Sequence, residues 1–320
     1  RMLCHSKVDA DLYYLVGSVI DEAKLTEEGR RELGRPDAQA AYWCCGVRSE
    51  APVSAEYRAR IGIYGVRGPI SRTALGLPDS TPLGDPGLLV PLLHTPVPDV
   101  DTAGKAICIP HFHDHRSDDE LTRLSGAEMV VRPVVANSVD ALCELLDRIA
   151  AAEFVLSASL HGAIIACAYG RPFCFWDNGH LDLPHKWRDF SLSVGFDGEF
   201  ASDLAQGREN YTTRIAPNLR LPPRTPMLEI CPFTVRPDVL VAALAADGLI
   251  AADAAEAVVH ALRANGDVQS ARSMRNARFA QYRASLSFEA ARLRERKRLA
   301  LRRTEWMQRQ RRRLRKLLRG

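Results

Sequence analysis

Short apolar runs rich in Val, Ile, Tyr and Cys alternate along this chain with stretches in which apolar residues recur at helical spacing. That alternation predicts βα units and a parallel sheet, because strands covered by helices on both faces read as continuous apolar runs. In the first part, strands are predicted at about Leu12–Val16, Tyr42–Val47 and Ile61–Val66, and a helix opens with Pro69 at its first position and closes near Gly76. Asp85 followed by Pro86 reads as an N-cap with proline behind it. The segment Pro91–Asp101, which also holds Pro96 and Pro98, breaks the periodicity and reads as a linker. A second series follows, with a strand at Lys105–Pro110, a helix at Ser117–Ser125, a strand at Glu128–Val131, a helix at Val139–Ala150 and a strand at Phe154–Leu156. A small-residue helix then opens on His161, and a further strand follows Gly170-Arg171-Pro172. From Arg236 onward the chain turns Ala-, Leu- and Arg-rich, with helices expected at Pro237–Ala246, Asp253–Ala264 and about Ala271–Leu318.

The expected fold class is therefore α/β, with two Rossmann-like domains at residues 1–96 and 97–235 and a helical extension at 236–320. A length of 320 residues, 46% hydrophobic and 26% charged, suits a soluble protein with two ordinary cores. No apolar run has the length of a bilayer span, since Arg, His or Pro interrupts the longest. The eight cysteines form no Cys-x-x-Cys pair and sit mostly in apolar patterns, so they read as reduced, buried side chains of a cytoplasmic protein. The charge is unevenly divided. Residues 292–320 carry fourteen basic and two acidic side chains, a net of +12, which leaves −8 for the rest of a chain whose total is +4.

The densest chemistry lies in residues 153–195, where an apolar strand feeds a helix whose first turn reads Ser159-Leu160-His161-Gly162. Such a turn places an imidazole beside free backbone N–H groups at the positive end of a helix dipole, which makes an anion site with a proton carrier in it. A lone histidine near an apolar helix is usually structural, but a first-turn position at a strand end is where functional groups collect. Arg67 ends a predicted strand, where a guanidinium can hold a carboxylate or phosphate in a fork; the plain alternative is an ion pair. Arg48 ends the preceding strand and is a weaker candidate of the same kind. Lys186, near Trp187 and Phe190, can offer a point charge to a phosphate. The run His111-Phe112-His113-Asp114-His115 has the alternation of a metal site, yet no complementary ligand cluster stands out elsewhere. We expect no metal there and instead expect His111, His113 and Asp114 to line the cleft and touch sugar or phosphate. Asp85 is assigned to helix capping.

These segments together resemble the polysaccharide pyruvyl transferase family. The resemblance rests on Ser159, Leu160, His161 and Gly162, then Gly170, Arg171 and Pro172, then Lys186, preceded by Ile61–Ser71 with its Arg67-Gly68-Pro69 and by Gly84-Asp85-Pro86. It covers roughly residues 13–200, and the ordered set is more specific than any one motif. It implies a GT-B-like arrangement of the two domains, phosphoenolpyruvate as co-substrate without another cofactor, and transfer of its carbons as a ketal onto two hydroxyls of a saccharide. His161 and Arg67 would then be catalytic, with Ser159, Leu160, Gly162, Lys186 and Arg48 around the donor. Family members usually begin with a strand and a Gly-Asp turn that do not appear before Tyr13, so an N-terminal stretch is expected to be missing. Two other readings compete: a GT-B glycosyltransferase using a nucleotide sugar, and an inactive scaffold acting through its basic tail. Wound as a helix, that tail gathers Leu293, Leu299, Trp306, Leu314 and Leu317 on one arc, which predicts peripheral attachment to an anionic membrane and access to lipid-linked saccharides. With only Trp306 for stacking, the tail argues against nucleic acid as the partner.

Overall fold

Eight consecutive buried residues, Ala40–Val47, form the central strand of the first sheet, as an apolar run covered on both faces requires. The computed structural model describes residues 3–179, 181–198 and 200–264. The chain divides into two compact units, residues 1–259 and 260–320, and all three sheets of the described residues lie in the first. That unit opens with β1 (Leu3–Ser6), β2 (Leu12–Tyr14), β3 (Ser18–Ile20), α1 (Glu22–Glu28), β4 (Ala40–Val47), α2 (Ala55–Ala59), β5 (Ile61–Val66) and α3 (Pro69–Ala74), then a 3₁₀ helix over Pro86–Leu92. It continues with β6 (Ala106–Ile109), α4 (Asp118–Ser125), β7 (Met129–Val130), α5 (Val139–Ala151), β8 (Phe154–Ser157), α6 (Leu160–Ala168), β9 (Phe173–Trp176), α7 (Pro184–Ser193), β10 (Phe200–Ala201) and α8 (Leu204–Asn210). The last described elements are α9 (Arg224–Glu229), β11 (Phe233–Val235), α10 (Pro237–Ala246) and α11 (Ala252–Ala264).

All pairings in the two larger sheets are parallel. In the first, β4 takes the short strands β2 and β3 end to end along one side and β5 along the other. In the second the order is β10-β9-β8-β6-β7. Chain direction therefore reverses between β6 and β8, and in open parallel sheets the crevice at such a reversal, beyond the carboxyl ends, is where ligands bind. Phe154, Phe173, Phe175, Trp176, Trp187 and Phe190 fill the core around this sheet. Helix α6 is buried along most of its length, which explains its small apolar residues. A Cβ on Gly162 would stand 2.6 Å from Ser157 Oγ and 2.8 Å from Ile109 Cδ1, so the glycine lets α6 lie close on β8 and β6.

Local sequence explains the helix starts. Ser117 Oγ accepts the Glu120 N–H at 3.2 Å, Ser138 Oγ accepts that of Ala141 at 3.1 Å, and Asp85 Oδ1 accepts that of Gly87 at 2.9 Å. The expected linker at Pro91–Asp101 is instead tied down, because Asp147 of α5 holds both His94 Nε2 and the Val97 N–H at 2.8 Å.

The expected boundary at residue 235 does not follow the packing. Met227, Leu228, Cys231, Val239 and Ala243 form a core with Trp43, Cys44 and Leu89, so the chain returns to the first sheet from α9 onward. Trp43 Nε1 donates to the Met227 carbonyl at 2.8 Å, and β11 pairs antiparallel with β1, a strand the sequence pattern did not announce. The two sheets also meet directly at α3 and α7, where the Ser71 N–H and Oγ donate to the Asp189 carboxylate at 3.0 and 2.5 Å. A Cβ on Gly68 would fall 1.8 Å from the Asp189 carbonyl oxygen, which fixes glycine at this contact. The expected helix at 271–318 lies outside the described residues, and none of the described helices is long and apolar enough to cross a membrane.

Candidate functional site

Parallel strands deliver their last residues to one edge of each sheet, and the predicted residues stand at such ends. Arg67 follows β5, His111 follows β6, His161 opens α6 after β8, and Lys186 lies in the first turn of α7 after β9. Their relation to water differs. Arg67 is fully buried, with Nε donating to Asp85 Oδ2 at 3.2 Å and Nη1 to Ser18 Oγ at 2.9 Å. Its Nη2 has no hydrogen-bond partner among the described residues. Gly46 makes room for the guanidinium, since a Cβ there would lie 2.8 Å from Arg67 Cζ. The expected ligand-facing fork is thus corrected: Arg67 is an internal counter-ion.

His161 keeps 46% of its side chain exposed, and its Nε2 lies 3.9 Å from Asp85 Oδ2. No side chain caps the helix it opens. Crowding by surrounding protein holds its pKa below the ordinary imidazole value; the Asp85 carboxylate pulls the other way, while the charges of Arg67 and Lys186 add to the depression. The resting ring is therefore biased toward the neutral form. Asp85 does cap, as expected, but only through Oδ1; its other oxygen stands between Arg67 and His161, a role its Asp-Pro signature did not reveal.

A second group of charges gathers on the loop between β9 and α7. Asp182, which sequence reasoning passed over, forms an ion pair with Lys186 through Oδ1, and His111 Nε2 stands 3.6 Å from the same oxygen. Lys186 and His111 expose only 12% and 9% of their side chains, against 47% for Asp182. His111 Nδ1 accepts the His113 N–H at 3.3 Å, which leaves Nε2 as the proton-bearing nitrogen of the neutral ring. Leu183, between Asp182 and Pro184, has φ 44 and ψ 73, a left-handed conformation that costs a branched residue of order 1–3 kcal/mol.

The remaining expectations divide. Asp114 is buried and occupied by Arg116 Nε at 2.9 Å and Asn178 Nδ2 at 2.7 Å, so it braces the loops after β6 and β9 and does not line a cleft. His113 is exposed. Leu160, 6% exposed, belongs to the core, and Gly162 answers to helix packing; neither is placed to touch a donor through a side chain. Ser159 closes the turn before α6 by donating its N–H to Ser157 Oγ at 3.2 Å and accepting from the same hydroxyl at 2.7 Å. Arg48 is exposed at the end of β4, and its side chain makes no hydrogen bond or ion pair among the described residues. Beside it, His185 Nε2 lies 3.3 Å from the Val47 carbonyl. No group of three His, Cys, Asp or Glu among the described residues is arranged to hold a metal ion. Two cavities, of about 190 and 400 Å³, are lined by none of these groups.

The fold and this edge together define an α/β protein with a solvent-reached histidine at a chain reversal of a parallel sheet. Beyond that class the comparisons with known proteins add nothing, since no protein-family model, curated protein or solved structure matches the chain.

Proposed function

We propose that this protein transfers the enolpyruvyl carbons of phosphoenolpyruvate onto two hydroxyls of a saccharide, forming a pyruvate ketal and releasing phosphate. The observation that carries the reading is His161: a solvent-reached imidazole at the uncapped start of α6, 3.9 Å from the buried Asp85 carboxylate and with its pKa shifted downward. An arriving anion favours the imidazolium, so the donor itself arms the acid. The imidazolium gives its proton to the methylene carbon, and the first sugar hydroxyl attacks the neighbouring carbon. That hydroxyl's proton returns to His161. The C–O bond to phosphate then breaks with its electron pair leaving on the phosphate, and the second hydroxyl attacks the same carbon to close the ketal, its proton passing to the departing phosphate. Lys186, paired at rest with Asp182, is the cation assigned to the donor, while Arg67 acts on the site through Asp85, a change from its expected contact role. The domain arrangement that goes with this reading is GT-B-like.

Phosphate release from phosphoenolpyruvate, measured against a panel of free and lipid-linked saccharides, tests the proposal. Thermal protection by a nucleotide sugar and not by phosphoenolpyruvate would favour glycosyl transfer and overturn it. Work on lipid-linked acceptors at the inner face of the membrane would place the basic segment 292–320 against anionic lipid. Co-sedimentation with anionic but not neutral vesicles, lost on removal of that segment, is the expected outcome.

A further inference from the structure

Lys186 and His111 come from different elements, one on α7 and one on the loop after β6, yet both point at a single oxygen, Asp182 Oδ1. A largely buried lysine paired to that oxygen, with a largely buried imidazole 3.6 Å from it, makes an anion-binding position, and here the anion is the chain's own. Its carrier is the most exposed member of the trio and sits next to a backbone held in a left-handed conformation at Leu183. The position also lies at the same edge as His161, since His111, His161 and Lys186 follow β6, β8 and β9 of one parallel sheet.

We propose that Asp182 is a resident counter-ion occupying the anion-binding position formed by Lys186 and His111, and that the phosphate or carboxylate group of an incoming ligand displaces it. The inference rests on the phosphoenolpyruvate reading of the same edge and adds its regulation: an internal carboxylate closes the position, and only a better anion opens it. Displacement frees the loop at residue 182 and lets Leu183 leave its strained conformation.

Isothermal titration of the full chain with inorganic phosphate, pyruvate and phosphoenolpyruvate provides the test. Asp182→Asn should bind inorganic phosphate on the order of tenfold tighter than the wild type, the scale expected for removing one half-exposed charge at contact distance. Pyruvate gaining in place of phosphate would assign the position to the carboxylate. Asp182→Ala should behave like Asp182→Asn, which guards against a folding artefact of either. The gain should vanish when Lys186→Gln is added, because coupled residues are not additive. Asp197→Asn removes an equal charge paired to Arg188 of the same helix and should give no gain. Equal affinities in wild type and variants, or a gain that survives Lys186→Gln, overturns the displacement idea and leaves the donor reading standing. Failure of every protein to bind any of the three anions overturns both.

Discussion

Two sets of polar groups stand at the strand ends and in the helices beside them, and they treat water oppositely. Arg67, Asp85, Ser71 and Asp189 are buried, and each has a fixed partner within the chain. His161, Asp182 and Arg48 are open to solvent: His161 stands 3.9 Å from Asp85, Asp182 pairs with Lys186 at the surface, and the Arg48 side chain has no partner among the described residues. The same position in a parallel sheet thus yields either a brace or a reactive group, and burial decides which. A charge without water needs its counter-ion always; a charge at the rim can take one from a ligand.

The largest effect expected from breaking this division is on chemistry. His161→Ala should lower phosphate release from phosphoenolpyruvate by about 10²–10⁴-fold, the usual contribution of a positioned acid or base. Its melting temperature should barely change, as befits a rim residue. Loss of folding, or near-normal turnover, would put His161 in the brace.

Arg67→Met tests the other side. It leaves Asp85 charged and fully buried, and should cost about 3–5 kcal/mol in urea unfolding. A loss under ~1 kcal/mol, the scale of an exposed pair, would show that Arg67 reaches water in solution.

Asp189→Asn sharpens the comparison through pH. Burial raises the Asp189 carboxyl pKa above 3.8, against the pull of its Ser71 hydrogen bonds. The folded state therefore holds this proton more tightly than the unfolded one. Its contribution to stability is fully present below pH 3.8 and is lost as the pH climbs through the raised folded value. Unfolding measured at several pH values should show this downward slope in the wild type and its absence in Asp189→Asn. An unchanged slope assigns the pH dependence to other groups.

The smallest effect is expected at Arg48, exposed and unengaged. Arg48→Ala should raise the phosphoenolpyruvate KM by ~2–5-fold, an effect that added salt erases. No change at low salt would remove Arg48 from the donor's path.

How far the sequence anticipated this division is clearest in the two arginines. Arg48 and Arg67 each follow a buried apolar strand, and pattern alone gives them the same reading. What separates them is Gly46, which admits the guanidinium, and Asp85, which neutralises it, and both come from other segments. Strand-end placement was legible because period and apolar content mark β5 at Ile61–Val66 and α10 at Pro237–Ala246. Asp182 was not, since an acid four residues before a lysine reads as an ordinary i,i+4 surface pair. Strands β1, β3, β10 and β11, of two to four residues each, escaped notice, whereas the equally short β7 and β8 were legible because helical patterns flank them.

The hydrogen bond from Trp43 to the Met227 carbonyl spans 184 positions of the chain. During synthesis the first sheet emerges well before α9 and α10 that roof its buried tryptophan. At roughly 5–20 residues per second, that interval is about 10–40 s. For that time a large aromatic surface waits uncovered beside the ribosome, and the first half of the protein cannot finish folding on its own. Chaperone occupancy of nascent chains should therefore persist until residues 227–243 have cleared the exit tunnel, and end there.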